Sequence, residues 1–208
     1  MTDTSAAESP VRASPLLGQR LRAVLLEVPQ NGISARQLER KLGADAIWLS
    51  LLLLGAAALV PTPGVPFGIV CGCAIVLVAV HLLSGARSLP AVVARRRVPH
   101  RILATLISYL APWIDRAERY LQFRLRTLSA PGTMPLWAMA ILSQGILIAL
   151  PIPLGNPLPG IAVAVLALGL MRRDGVALLA GLFCCVLAAA WTVGLIVLGA
   201  ELTSRFFA

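Results

Sequence analysis

The sequence predicts an all-α, polytopic integral membrane protein, and three observations carry that expectation. Of the 208 residues, 58% are hydrophobic and only 13% are charged, about half the charged share of an ordinary soluble domain, and the mean hydropathy is +0.85. The charges are segregated: none falls in 46–86, 127–171 or 175–200. Those runs total 112 residues, enough for roughly five crossings or half-crossings at about 20 residues each. Finally, the first two runs are each interrupted near their centres by proline and glycine. Such a composition excludes a water-soluble enzyme.

The net charge of +9 has the same explanation. The 18 basic residues cluster just outside the apolar runs, as Arg36, Arg40 and Lys41, as Arg95, Arg96, Arg97 and Arg101, and as Arg116, Arg119, Arg124 and Arg126. This is the positive-inside pattern, which records topology and attraction to anionic headgroups, so no nucleic-acid partner is expected. Cys71, Cys73, Cys184 and Cys185 lie inside apolar runs at spacings that match neither metal nor redox pairs. No apolar run opens the first 30 residues, so the N-terminus is expected in the cytoplasm, with no cleaved leader.

Residues 1–14 are small and polar and read as disordered. Residues 15–44 read as a cytosolic helical hairpin. Leu17, Leu21, Val24, Leu25 and Val28 share a face before Pro29-Gln30-Asn31-Gly32, and Ser34 with Gln37 forms a capping box ahead of Leu38, Leu42 and Gly43. Residues 45–85 make a first broken hairpin, interrupted over 61–68. Its arms, 46–60 and 69–84, measure about 22 and 24 Å, short of a hydrocarbon core of about 30 Å. Two short tilted crossings and a re-entrant pair both fit. Residues 86–130 hold a basic loop and amphipathic helices lying at the membrane interface, which Pro112 is expected to divide.

Residues 131–174 repeat the broken hairpin. Gly55, Pro61 and Pro63 match Gly145, Pro151 and Pro153 at an offset of 90, and Gly68-Ile69 matches Gly160-Ile161. Paired broken hairpins at corresponding positions are the trace of an internal repeat in transporter-like folds. Residues 175–200 form a C-terminal transmembrane helix, leaving 201–208 as a tail on the outer side.

The breaks are the candidate site. A freed backbone group in lipid must find a partner, so a broken helix belongs where protein or water surrounds it. Pro61, Pro63 and Gly64 with Pro151, Pro153, Gly155, Asn156 and Pro159 are therefore the candidate substrate pocket. Half-helix ends there can present N–H groups to an anion; the competing reading is a plain turn at the periplasmic surface. Asn156 either orients a ligand or satisfies the opened backbone, and Gln144 and Ser143 lie one or two turns before the break. Arg87, Arg172, Arg173 and Asp174 mark topology or meet headgroups, with Asp174 also able to pair with an arginine. No acidic residue interrupts an apolar run, and no metal-ligand, phosphate-loop or nucleophile motif occurs. No catalytic residue, metal or cofactor is expected, and the chain reads as no enzyme.

The run Ala149-Leu150-Pro151-Ile152-Pro153-Leu154-Gly155-Asn156, with Arg173-Asp174-Gly175 beyond it, resembles the ExoD family of bacterial exopolysaccharide-synthesis proteins. Gly85-Ala86-Arg87, Leu89-Pro90 and the first block's G-x5-P-x-P also fit, and the likeness runs over roughly 15–200. The resemblance implies a bacterial inner-membrane protein with an accessory or transport role in exopolysaccharide synthesis or export. Its partners would be the lipid bilayer and a lipid-linked anionic saccharide or other exopolysaccharide-synthesis proteins. By analogy of fold alone the hairpins are also similar to DedA-type lipid translocases, giving a phospholipid or polyprenyl-phosphate translocase as alternative. The acidic residue expected beside the proline motif there is missing here. A structural scaffold of a polysaccharide synthase complex is the third reading.

Overall fold

A computed structural model describes residues 17–27, 33–34, 36–37, 40, 43–59, 67–86, 88–95, 97–120, 126–152 and 154–207. In chain order, helices α1 (Leu17–Leu26), α2 (Ala46–Ala58), α3 (Phe67–Leu83), α4 (Ala91–Ala94), α5 (His100–Tyr120), α6 (Met134–Ala149), α7 (Pro157–Arg172) and α8 (Gly175–Phe207) follow one another. The fold is all-helical as expected. Between helices a two-residue antiparallel contact sets Ile33 against Val98 and Ser34 against Arg97. The capping box forms: Ser34 N–H donates to Gln37 Oε1 at 3.0 Å and Gln37 N–H to Ser34 Oγ at 3.2 Å. The N-terminal residues 1–14, with Leu38 and Leu42, lie outside the described residues.

Two expectations need correction. Pro112 does not divide the amphipathic segment, because α5 runs through it from His100 to Tyr120. Leu103, Ile107, Ala111 and Ile114 are buried in one unbroken stripe on either side of the proline, which itself faces outward. Packing along that stripe outweighs the lost hydrogen bond. The second concerns the extent of the last helix, since α8 does not stop at residue 200 but continues through Glu201 and Arg205 to Phe207. Glu201, Leu202, Thr203 and Ser204 are exposed and nothing in their side chains stops a helix.

The two hairpins, α2 with α3 and α6 with α7, pack crosswise: α2 lies on α7 and α3 on α6. Glycines permit the approach. A Cβ on Gly55 would stand 2.8 Å from the Gly160 carbonyl oxygen, and one on Gly145 only 2.9 Å from Ile75 Cγ2. Every residue of α2 is buried or half-buried. Helix α8 packs on α7 through Leu178, Gly181, Cys185, Ala188 and Thr192, a stripe at helical spacing. Its remaining faces expose Leu179, Phe183, Val186, Val193, Ile196, Val197 and Leu198. Apolar surface on that scale suits lipid rather than water. Among the described residues, Pro131–Ala149 and Gly175–Arg205 are long and apolar enough to cross a membrane, while Ala46–Ala58, Phe67–Leu83 and Pro157–Arg172 are shorter.

At the other end of the hairpins, α1 lies on α5, with Arg22 Nη2 3.6 Å from Asp115 Oδ2. Trp137 Nε1 donates to the Leu128 carbonyl at 2.7 Å and anchors the start of α6. Helix α7 ends with Arg173 in the left-handed region, φ 52°, and Asp174 N–H returns to the Gly169 carbonyl at 2.9 Å. Buried Asp174 then caps α8: its Oδ1 accepts from Val176 N–H at 2.9 Å and Ala177 N–H at 3.3 Å. Asp174→Ala should therefore lower stability by about 1–2 kcal/mol and Asp174→Asn by much less, read as thermal unfolding in detergent. Equal losses in the two variants would show that the cap is not what Asp174 contributes.

Candidate functional site

The second break is built one backbone group at a time. Leu150, which precedes a proline, leaves the helix in an extended conformation, φ −70° and ψ 130°. Ile152 N–H closes a tight turn on the Leu150 carbonyl at 2.8 Å, and Gly155 N–H closes the next on the Ile152 carbonyl at 3.0 Å. Leu154 takes φ 60° there, which costs a residue with a Cβ about 1–2 kcal/mol. Its carbonyl is satisfied by Trp191 Nε1 of α8 at 3.1 Å, so that helix is fastened to the break. Trp191 was not among the expected site residues. An indole inside an apolar run, whose N–H must find an acceptor, is the signal that points to it.

Helix α7 then begins with Asn156 as its cap residue, whose side chain makes no capping bond. At this helix start few N–H groups are available for the expected cradle. Pro157 and Pro159 carry no N–H, and Gly160 N–H is taken by the Asn156 carbonyl at 3.0 Å. Within that first turn only Leu158 keeps an amide for an anion. What the site offers instead is acceptor oxygen. Asn156 Oδ1 is buried and accepts no hydrogen bond among the described residues, and Gln144 Oε1, on a residue 1% exposed and six positions before Leu150 in the chain, is in the same condition. Gln144 Nε2 donates to Ser143 Oγ at 3.2 Å.

The two tips meet. A Cβ on Gly68, the second residue of α3, would fall on the side-chain nitrogen of Asn156. Ala58 Cβ and Leu59 Cγ, which end the first arm, each stand 3.6 Å from where a Cβ on Gly160 would be. Both flanks of the first break thus touch the opening turn of the second hairpin's returning helix. Of the expected pocket residues, Pro151, Gly155, Asn156 and Pro159 gather at this end, with Gly155 and Pro159 buried. Arg172, Arg173 and Asp174 lie at the opposite end of α7. Pro61, Pro63, Gly64, Pro153 and Arg87 lie outside the described residues.

Comparison with known proteins bears on this arrangement. The family model described as "Exopolysaccharide synthesis, ExoD" matches residues 17–194. Protein ExoD of Rhizobium meliloti is 32% identical over 190 residues, covering 88% of this chain and 77% of its own length. An uncharacterized protein of Synechocystis is 30% identical over 156 residues, covering 72% of this chain and 71% of its own. No solved structure matches the chain.

Proposed function

The chain belongs to the ExoD family of exopolysaccharide-synthesis proteins, and from that premise we propose a non-enzymatic accessory or transport role, carried out at the paired hairpin tips in a bacterial inner membrane. Membership brings involvement in exopolysaccharide synthesis and membrane association; the role, the site and the compartment are our reading. In it the hairpins are two copies of one internal repeat related by an approximate two-fold. Contact of α2 with α7 answers contact of α6 with α3, and Gly55 beside Gly160 and Ala164 answers Gly145 beside Gly72. The basic clusters put the N-terminus in the cytoplasm, with the exposed Arg101, Tyr109 and Arg116 face of α5 at the headgroups.

The observation that carries the proposal is the seating of Asn156 on Gly68, which joins the two tips through a polar side chain with an unused buried acceptor. Two buried amide oxygens with no donor among the described residues suit the hydroxyls of a lipid-linked saccharide better than a phosphate, which offers them no proton. That chemistry favours the polysaccharide role over a general phospholipid or polyprenyl-phosphate translocase.

The test replaces the two contacting residues separately. Asn156→Leu and Gly68→Ala should each cut exopolysaccharide output at least about tenfold in a complemented deletion strain, while the amount of protein in the membrane fraction is unchanged. A tenfold loss corresponds to about 1.4 kcal/mol of ligand or transition-state binding, the scale of one hydrogen bond to an otherwise unsatisfied group. Gly132→Ala, where nothing lies within 4 Å of the new methyl, is the control. Normal output from both variants would remove the tips from the function. A scaffold would instead be recognised by co-purification with a synthase and by indifference to these substitutions.

A further inference from the structure

The hydrogen bond between Trp191 Nε1 and the Leu154 carbonyl fixes the height of the hairpin tips along α8. That helix is a ruler, because 175–200 carries no charge and is bounded by Arg172, Arg173 and Asp174 at one end and Glu201 and Arg205 at the other. The run is 26 residues long, about 39 Å at 1.5 Å per residue, and a hydrocarbon core of about 30 Å centred on it extends about 15 Å either side of residues 187–188. Trp191 then lies about 5 Å beyond the middle, about 10 Å short of the far boundary. The hairpin arms agree. Helices α2, α3 and α7 have 13, 17 and 16 residues, or about 20–26 Å, shorter than the core; the arm over Pro131–Ala149 is long enough to cross, but its return through α7 is not.

We infer that both hairpins are re-entrant: they enter and leave on the face that carries Asp174, their tips stop inside the hydrocarbon, and α8 alone continues to the other face with lipid chains as its partner there. From Val193 to Arg205 no residue of α8 is buried, and Gly194 and Gly199 have nothing within 4 Å of a Cβ. Placing the tips at the far surface would push Val193, Ile196, Val197 and Leu198, all exposed, into water. Lipid is the occupant that this apolar, charge-bounded segment fits. In the second break the Leu150, Ile152 and Leu154 carbonyls have donors, as backbone at that depth requires.

The inference rests on the membrane reading of the chain, and one experiment separates the two. Single cysteines at Leu154, Val176, Phe183 and Leu198, all exposed, are introduced with the four native cysteines replaced by alanine, and spin-labelled. The protein is reconstituted in phosphatidylcholine vesicles, and depth is read from relative relaxation by oxygen and by a water-soluble nickel complex. The label at 154 should be as deep as that at 183 and about 10 Å deeper than that at 198. A label at 154 as shallow as that at 198, with 183 deep, overturns the re-entrant geometry and leaves the membrane reading intact. Greater relaxation by nickel than by oxygen at all four positions overturns both. If replacement of the native cysteines prevents folding, Trp191 fluorescence in the wild-type cysteine background, with Trp48, Trp113 and Trp137 changed to phenylalanine, is quenched by brominated lipids instead. Strongest quenching by bromines near mid-chain supports the geometry, and strongest quenching near the headgroup overturns it.

Discussion

Gly72→Ala should destabilise the hairpin pair more than alanine at any other described glycine. The new Cβ would stand 2.5 Å from Ala149 N, 2.7 Å from the Gly145 carbonyl oxygen and 2.8 Å from Ala149 Cα. All three are backbone atoms of α6, so no side chain can swing aside. Either α3 and α6 separate along their length or the methyl is not accommodated. Overpacking of this kind costs about 3 kcal/mol, against a helix-propensity gain of about 1 kcal/mol for replacing glycine. The net expectation is a fall in Tm of roughly 5–8 °C in detergent. Gly160→Ala should behave similarly, since its Cβ would meet the Gly55 carbonyl oxygen at 2.7 Å. Gly194→Ala, with nothing within 4 Å, should leave Tm unchanged or raise it slightly. Equal effects at 72 and 194 would mean that the helices do not approach so closely.

Gln144→Leu should move stability and function in opposite directions. The Gln144 side chain is 1% exposed with an amide oxygen that accepts no hydrogen bond, among the described residues, and its nitrogen is spent on the exposed Ser143. Burying an unsatisfied acceptor costs about 1–3 kcal/mol, so an apolar side chain of similar volume should stabilise the protein by about 1–2 kcal/mol. If that oxygen serves the ligand of the tips, exopolysaccharide output falls with the same substitution, the trade of stability against activity expected of a binding group. Greater stability with normal output would assign Gln144 no part in the function. Loss of both would mean that it holds the fold.

Much of the architecture was legible because membrane helices are punctuated by residue types that water-exposed helices use freely. Arg172 and Arg173 ended one apolar run, Pro151 and Pro157 bounded the break, and Ser34 with Gln37 announced a cap that forms as written. The pairing of helices was not legible. Helices α2 and α8 are both apolar all round, yet one is enclosed by protein and the other largely bare. A helix without a polar face carries no record of which side its neighbours occupy. Small residues hold the missing information: Gly55 and Gly160, then Gly72 and Gly145, mark the crossings. Within the site, Asn156 was found as the polar side chain of the break, while Trp191 escaped because it lies 37 residues beyond the carbonyl it serves. At the start of α7 the scarcity of free amides is also written in the sequence, since prolines at 157 and 159 carry none.

The crosswise packing also sets a timetable for the ribosome. Helix α2 is surrounded largely by α7, whose first residue is encoded about 100 residues after the last of α2. At about 5–20 residues per second, a nascent chain waits some 5–20 s between making the one and making the other. During that interval a 13-residue apolar segment, about 20 Å long, is too short to span the bilayer by itself and lacks its main partner, with only α3 and then α5 to lie against. Some occupant of the insertion machinery must shelter it until the second hairpin arrives. Biogenesis of this protein should therefore be unusually sensitive to loss of membrane insertases and to pauses in translation between the hairpins.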